Sequence, residues 1–146
     1  MDIKVIETRL QKLDSFVRNL HQLETIPLDE YLADENVQAV VERRLQLAIQ
    51  ACMDIAGYVV ATLALQSPDE PENIFVLLGK EGILSHDLSR RMAGMVRFRN
   101  ILVHDYLEID SEIVHTALAG EVADFKQFAA EIMTWLSSRP YGAEKQ

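Results

Sequence analysis

The chain has 146 residues, 49% of them hydrophobic and 25% charged, which is typical of one ordinary globular domain rather than of a disordered or fibrous chain. Its 23 acidic and 14 basic residues give a formal net charge of −9. That charge argues against a general nucleic-acid binder, because phosphate contacts need local positive potential. The single cysteine, Cys52, cannot close an intrachain disulfide, and no Cys/His cluster has zinc-ligand spacing. We therefore expect a reducing, cytoplasmic setting and no metal site.

The N-terminus alternates charged and apolar residues, so we expect no signal peptide. No run approaches the ~20 apolar residues that span a bilayer, and we expect no membrane segment.

Helical periodicity dominates the first half of the chain. Residues 2–23 place apolar side chains at steps of three and four, which predicts a helix, and Pro27 with Asp29 and Glu30 interrupts that pattern. Asp34 is a suitable N-cap for the longest predicted helix, residues 36–65. The predicted buried positions of these two helices are Ile6, Leu10, Leu13, Val17 and Leu20, then Val37, Val41, Leu45, Ala48, Cys52, Ile55, Val59 and Leu63.

The second half continues the same pattern. A loop at 67–73 contains two prolines, and a short helix at 74–78 follows, ended by Gly79 and Gly82. Ser85 caps a third long helix and Asp110 caps a fourth, residues 111–137, before a tail that frays after about residue 138. The predicted buried residues are Leu88, Met92, Met95 and Val96, then Ile113, Val114, Ala117, Phe125, Phe128, Ile132 and Leu136. The fold predicted for residues 1–146 is one all-α domain, an antiparallel bundle of four to five helices.

Charge is distributed unevenly along the chain. Residues 80–104 contain five Lys/Arg and two acidic residues, although acidic residues prevail overall. A solvated helix face explains basic residues taken alone. This run, however, leads directly into the segment with the most chemically capable side chains.

That segment is residues 99–106, which bring together Arg99, Asn100, His104 and Tyr106. Arginine is a planar, permanently charged donor that suits phosphate oxygens, and histidine exchanges protons near neutral pH. The combination indicates work on a phosphodiester. Two simpler interpretations stay open: His104 as a C-cap of its helix, and Tyr106 as half-buried packing.

The spacing Arg99-x4-His104-x-Tyr106, with Asn100 after the arginine, resembles the signature of HEPN domains of the HepT type. These are the toxin half of a bacterial toxin and antitoxin pair. Residues 51–56 and 95–106 both resemble that family, as do the length and the order of helices over most of the chain. The resemblance implies a HEPN-like fold and a metal-independent endoribonuclease that acts as a homodimer without a cofactor.

The resemblance also implies residue roles. His104 would take the 2′-hydroxyl proton or protonate the leaving 5′-oxygen, Arg99 would hold the scissile phosphate, and Asn100 would orient a neighbouring group. The product would be a 2′,3′-cyclic phosphate. Tyr106 would receive AMP from ATP through a partner nucleotidyltransferase, the MntA-type antitoxin, as in type VII systems, and this would block the RNA site.

Geometry gives a separate reason to expect two subunits. Five residues along a helix correspond to roughly 500°, so Arg99 and His104 leave one helix about 140° apart. The two side chains converge more easily if the helix ends near His104, or if a two-fold axis brings two copies into one groove and so supplies both an acid and a base.

Several assignments stay open. Asp54 either fixes an arginine of the motif or is an exposed polar residue, and Asp105 is a candidate to hold the arginines before substrate arrives. Cys52 is expected to be a core residue rather than a nucleophile. Two other functions remain alternatives: a non-catalytic HEPN-like adaptor that delivers substrate to a nucleotidyltransferase, and a helical module whose acidic face binds a basic partner.

Overall fold

In the computed structural model, which describes residues 2–104, 107 and 109–139, the chain folds into six α-helices, and these residues form no strand. The helices are α1 (Ile3–Leu23), α2 (Leu28–Ala33), α3 (Glu35–Thr62), α4 (Asn73–Lys80), α5 (His86–His104) and α6 (Ser111–Ser138). The four long helices confirm the predicted all-α bundle. The region beyond residue 139 lies outside the described residues, and so does the predicted fraying there.

The long helices begin where capping residues predict. Asp34 accepts hydrogen bonds from the backbone N–H groups of Asn36 and Val37 at the start of α3. Asp110 accepts from those of Glu112 and Ile113 at the start of α6. Ser85 Oγ accepts from the backbone N–H of Leu88, 3.4 Å away, at the start of α5. The three predicted caps are therefore confirmed.

One core joins the helices. α1 packs on α3 and α6, and α4 packs on α5 and α3. The backbone amide of Asp2, just before α1, donates to the hydroxyl of Tyr58, near the end of α3. The start of α1 therefore meets the end of α3, and the two helices are antiparallel. Phe75 of α4 meets Phe128 of α6 edge to face, with ring centroids 5.9 Å apart.

The helix α2 was missed by the sequence prediction, which treated Pro27 as an interruption. Pro27 instead stands at its N-cap, and Asp29 and Glu30 occupy its first turn, where acidic side chains favour the helix dipole. Tyr31 anchors α2 because it is fully buried and stacks at a tilt on the ring of His115, 5.3 Å away.

A second correction concerns Ile113, which was predicted to be buried and is 59% exposed. It lies in the first turn of α6, one position before the buried series Val114, Leu118 and Val122. Adjacent helix positions point about 100° apart, so Ile113 faces away from that series. Ala117 is half-buried. The remaining predicted positions of α6 are buried: Val114, Phe125, Phe128, Ile132 and Leu136.

The helix α3 is long and apolar enough to cross a membrane by length and composition, with an 18-residue window of mean hydropathy 1.3. Its nine buried residues explain that composition, because they form the centre of the bundle. Cys52 is among them and is fully buried, as predicted.

Candidate active site

The motif residues lie at the C-terminal end of α5. Arg99 and Asn100 are half-buried, and His104, the last residue of α5, is exposed. The helix has buried Leu88, Met92, Met95, Val96 and Leu102 against the bundle, which fixes its rotation. That rotation directs Arg99 towards α3 and leaves His104 at the surface.

Arg99 is held by two side-chain amides. Its Nη2 donates to Oε1 of Gln50 on α3 at 2.8 Å, and its Nη1 donates to Oδ1 of Asn100 at 3.3 Å. Its Nε is buried and makes no hydrogen bond with any described residue. The guanidinium is therefore positioned by neutral acceptors.

Asp54 supports this arrangement from one turn further along α3. Gln50 Nε2 donates to Asp54 Oδ1 at 2.9 Å, and Arg9 of α1 donates to the backbone carbonyl of Asp54 at 3.2 Å. Asp54 thus lies two hydrogen bonds from Arg99 and orients the amide that holds it. The Asp54 side chain is exposed, and its hydrogen bond to Gln50 links it to Arg99.

Gln50 is the residue that sequence reasoning missed. The available signal was its position four residues before Asp54, which places two polar side chains on one face of an apolar helix. Nothing local in the sequence connects that pair with an arginine 49 positions later.

Two predicted site residues, Asp105 and Tyr106, lie outside the described residues. Leu107, next to them, is 83% exposed. Cys52 is not a candidate nucleophile. Burial, with a contribution from Glu121, raises the pKa of its thiol and so disfavours the reactive thiolate. Among the described residues, no three His, Cys, Asp or Glu side chains are grouped as a metal site.

The arrangement is suited to binding an anion. Within the described part of the chain, no carboxylate oxygen lies within 4 Å of Arg99, so its charge is not cancelled by an ion pair. A guanidinium whose acceptors are neutral retains its attraction for phosphate. An exposed imidazole on the next turn can exchange protons with a bound substrate.

Comparison with known proteins gives consistent results. Residues 6–132 match the family model described as ribonuclease HepT-like. The chain is 33% identical over 132 residues, 90% of each chain, to a tRNA nuclease HepT of Aphanizomenon flos-aquae. It is 30% identical over 121 residues, 82% of this chain and 91% of the relative, to an mRNA nuclease HepT of Shewanella oneidensis.

Solved structures agree. A toxin-antitoxin crystal structure with AMP-PNP matches with a TM-score of 0.83 and 27% identity, over 90% of this chain and 98% of the other. A tri-AMPylated HEPN toxin of Shewanella oneidensis in complex with its MNT antitoxin matches with a TM-score of 0.81 and 28% identity, over 89% and 97%.

Proposed function

The chain belongs to the HepT-like ribonuclease family, and from that premise we propose that it is the nuclease toxin of a bacterial type VII toxin-antitoxin pair. It cleaves RNA in the cytoplasm. The observation that carries this proposal is Arg99, held in place by the neutral amides of Gln50 and Asn100, with an exposed His104 five residues later at the end of the same helix.

The reaction proceeds by transesterification within the RNA, without metal or cofactor. The 2′-oxygen attacks the adjacent phosphorus as a histidine takes its proton, the bond from phosphorus to the 5′-oxygen breaks, and the leaving oxygen receives a proton. The products are a 2′,3′-cyclic phosphate and a 5′-hydroxyl end. Arg99 stabilises the charge that develops on the phosphate, and Asn100 keeps the guanidinium oriented.

The reaction needs a base and an acid in the same site. Each chain contributes a single His104 to this motif, and Arg99 and His104 leave α5 in different directions. A homodimer with both motifs in one cleft provides His104 as base and the partner subunit's His104 as acid.

Cleavage is tested with wild type, His104→Ala and Arg99→Ala proteins in EDTA, with folding monitored by circular dichroism. We expect both variants to lose at least 100-fold in rate, since each removes a group that acts in the transition state. His86→Ala, which removes an exposed histidine at the other end of α5, is the matched control and should retain activity. Cleavage that persists in folded His104→Ala protein contradicts the mechanism, and a wild type without nuclease activity favours the adaptor.

Neutralisation of the toxin by its antitoxin would act at the same site. We propose that an MntA-type nucleotidyltransferase transfers AMP from ATP to Tyr106: the tyrosine oxygen bonds to the α-phosphorus and pyrophosphate leaves. The added phosphate would occupy Arg99 and exclude RNA. Incubation with the partner and ATP should add AMP mass to wild type but not to Tyr106→Phe, and equal labelling of the variant places the modification elsewhere.

A further inference from the structure

On the exposed face of α5, two arginines and His104 follow one another at intervals of seven residues. Arg90, Arg97 and His104 are all exposed. Seven residues amount to about 700°, only 20° short of two turns, with a rise of about 10 Å. The three side chains therefore form one line along the helix, which we call the α5 stripe.

The N-terminal part of the α5 stripe borders a cleft. Asp87, Arg90, Arg91 and Arg97 line this cleft, whose volume is about 510 Å³. Gly94 lies between the two stripe arginines, and Nη2 of Arg97 comes within 3.7 Å of the position that a Cβ would occupy there. The Arg97 guanidinium therefore lies back along the helix, close to Gly94 and towards Arg90.

The arginines of the cleft are not equivalent. Arg91 is engaged with α6, because its Nε donates to Asp124 and its Nη2 to Gln127, both at 2.9 Å. Over residues 2–104, 107 and 109–139, no carboxylate oxygen is within 4 Å of Arg90 or Arg97. Among the described residues, Asp87 is the only acidic one that lines the cleft. Arg90 and Arg97 are thus the cations that this face presents to a ligand.

We propose that Arg90 and Arg97 bind successive stretches of the RNA backbone and guide the strand along α5 to His104. The proposal rests on the proposed nuclease function and extends it from the scissile phosphate to the flanking ones. A polynucleotide fits better than an acidic protein, because its phosphates form a continuous row and the stripe leads to the residue that acts on a phosphodiester. The net charge of −9 repels RNA from the rest of the surface, which concentrates binding on this stripe.

The test uses a fluorescently labelled 2′-O-methyl single-stranded RNA, which lacks the attacking hydroxyl and stays intact on active protein. We expect Arg90→Ala/Arg97→Ala to bind it about tenfold more weakly at low salt. The slope of log affinity against log salt should fall by about 1.4, because two phosphate contacts are lost. Arg90→Lys/Arg97→Lys, which keeps both charges, should recover part of the affinity.

The matched control is Lys12→Ala/Arg18→Ala, which removes the same charge from exposed positions on α1. Unchanged affinity and salt slope in the Arg90/Arg97 variant overturn the proposal, and so does an equal loss in the control, because binding would then reflect net charge alone. If RNA binding survives but the nucleotidyltransferase partner no longer binds, the stripe is a protein interface and the proposal fails.

These measurements separate a failure of the α5 stripe from a failure of the nuclease mechanism. If wild type cleaves RNA in a His104-dependent manner while the Arg90/Arg97 variant binds normally, only the stripe is refuted. If the stripe binds RNA but wild type does not cleave it, the stripe is supported and the nuclease mechanism is refuted.

Discussion

At the level of single residues, Arg99 depends on acceptors that carry no charge. A carboxylate in the place of Gln50 would form an ion pair with the guanidinium, and substrate phosphate would then have to displace it. An amide holds the same geometry through a weaker, neutral hydrogen bond. In the proposed mechanism Gln50 is therefore a positioning residue, which preserves the charge with which Arg99 would bind phosphate.

Replacing Gln50 should reveal this role. We expect Gln50→Glu to reduce kcat/KM for RNA cleavage by about tenfold or more, mainly through a higher KM, because the new carboxylate competes with phosphate. Gln50→Ala should reduce kcat instead, because Arg99 loses its orientation. Gln11→Glu adds the same charge at an exposed position on α1 and should change neither constant. An unaltered KM in folded Gln50→Glu protein contradicts the argument.

Glu121 on α6 should make stability dependent on pH. Burial, together with repulsion from Asp124, raises the pKa of its carboxyl from 4.5 to about 8, and its Oε2 has no hydrogen-bond partner in the described residues. Between these two values the folded chain keeps a proton that the unfolded chain has lost. The free energy of unfolding therefore falls as pH rises from about 4.5 to about 8.

Glu121→Gln removes this titration. We expect the variant to be more stable than wild type at pH 9, on the order of 5 kcal/mol because each unit of pKa shift corresponds to about 1.4 kcal/mol, with the difference shrinking towards pH 5. Urea unfolding at a series of pH values measures it. Glu112→Gln, at an exposed position of the same helix, serves as the control. Parallel pH profiles for wild type and Glu121→Gln would show that Glu121 is not the source.

At the level of elements, a glycine sets how closely α4 approaches α5. A Cβ on Gly79 would lie 2.6 Å from Oγ and 2.9 Å from Cβ of Ser89. Ser89 is buried, and its hydroxyl donates to the carbonyl of His86 at 2.7 Å, so it has little freedom to move. The close contact requires the absence of a side chain at Gly79.

Gly79→Ala should therefore destabilise the fold by about 1–3 kcal/mol, despite the better helix propensity of alanine, because the two helices must separate. Gly120→Ala is an informative control, since a Cβ there meets nothing within 4 Å and alanine should stabilise α6 slightly. Denaturant unfolding of both variants provides the comparison. Equal stabilisation by the two substitutions would show that α4 and α5 are not in tight contact.

The helices illustrate what periodicity can and cannot predict. The apolar stripe of α1 was predicted completely, because a helix that packs on one side shows its buried face in its spacing. The helix α2 was missed because its six residues are too few for a period, and a single buried tyrosine anchors it. Ile113 was assigned wrongly because it and Val114 are adjacent and point about 100° apart, and only the packing shows that Val114 is the buried one.

In the candidate site, too, the sequence identifies some residues and only the fold identifies another. Arg99, Asn100 and His104 could be selected from the sequence because their types and spacing are local. Gln50 could not, because its contact with Arg99 depends on how α3 and α5 are rotated against each other. The roles of the selected residues stay predictions until activity is measured.

At the level of the whole molecule, the dimer that the mechanism requires should form around the end of α5. Two large apolar side chains are exposed there, Ile101 at 42% and Leu107 at 83%. Ile101 lies to one side of the α5 stripe, about 40° round the helix from Arg97, so a subunit that covers it leaves the stripe open. A second subunit that covers Ile101 and Leu107 would bring its own motif to the same cleft and leave Arg90 at the entrance.

We expect Ile101→Gln/Leu107→Gln to convert a wild-type dimer into monomers at low micromolar concentration, as measured by light scattering, and to abolish RNA cleavage. Glutamine is uncharged, so the electrostatic attraction of RNA stays the same and loss of activity reports on assembly. Met133→Gln, at a 48% exposed position on α6, controls for the removal of surface apolar area and should stay dimeric and active. A dimer that survives the double substitution places the interface elsewhere on the surface. A wild type that is strictly monomeric and still cleaves RNA shows that one chain provides both acid and base, because no partner subunit is then present to donate the second proton.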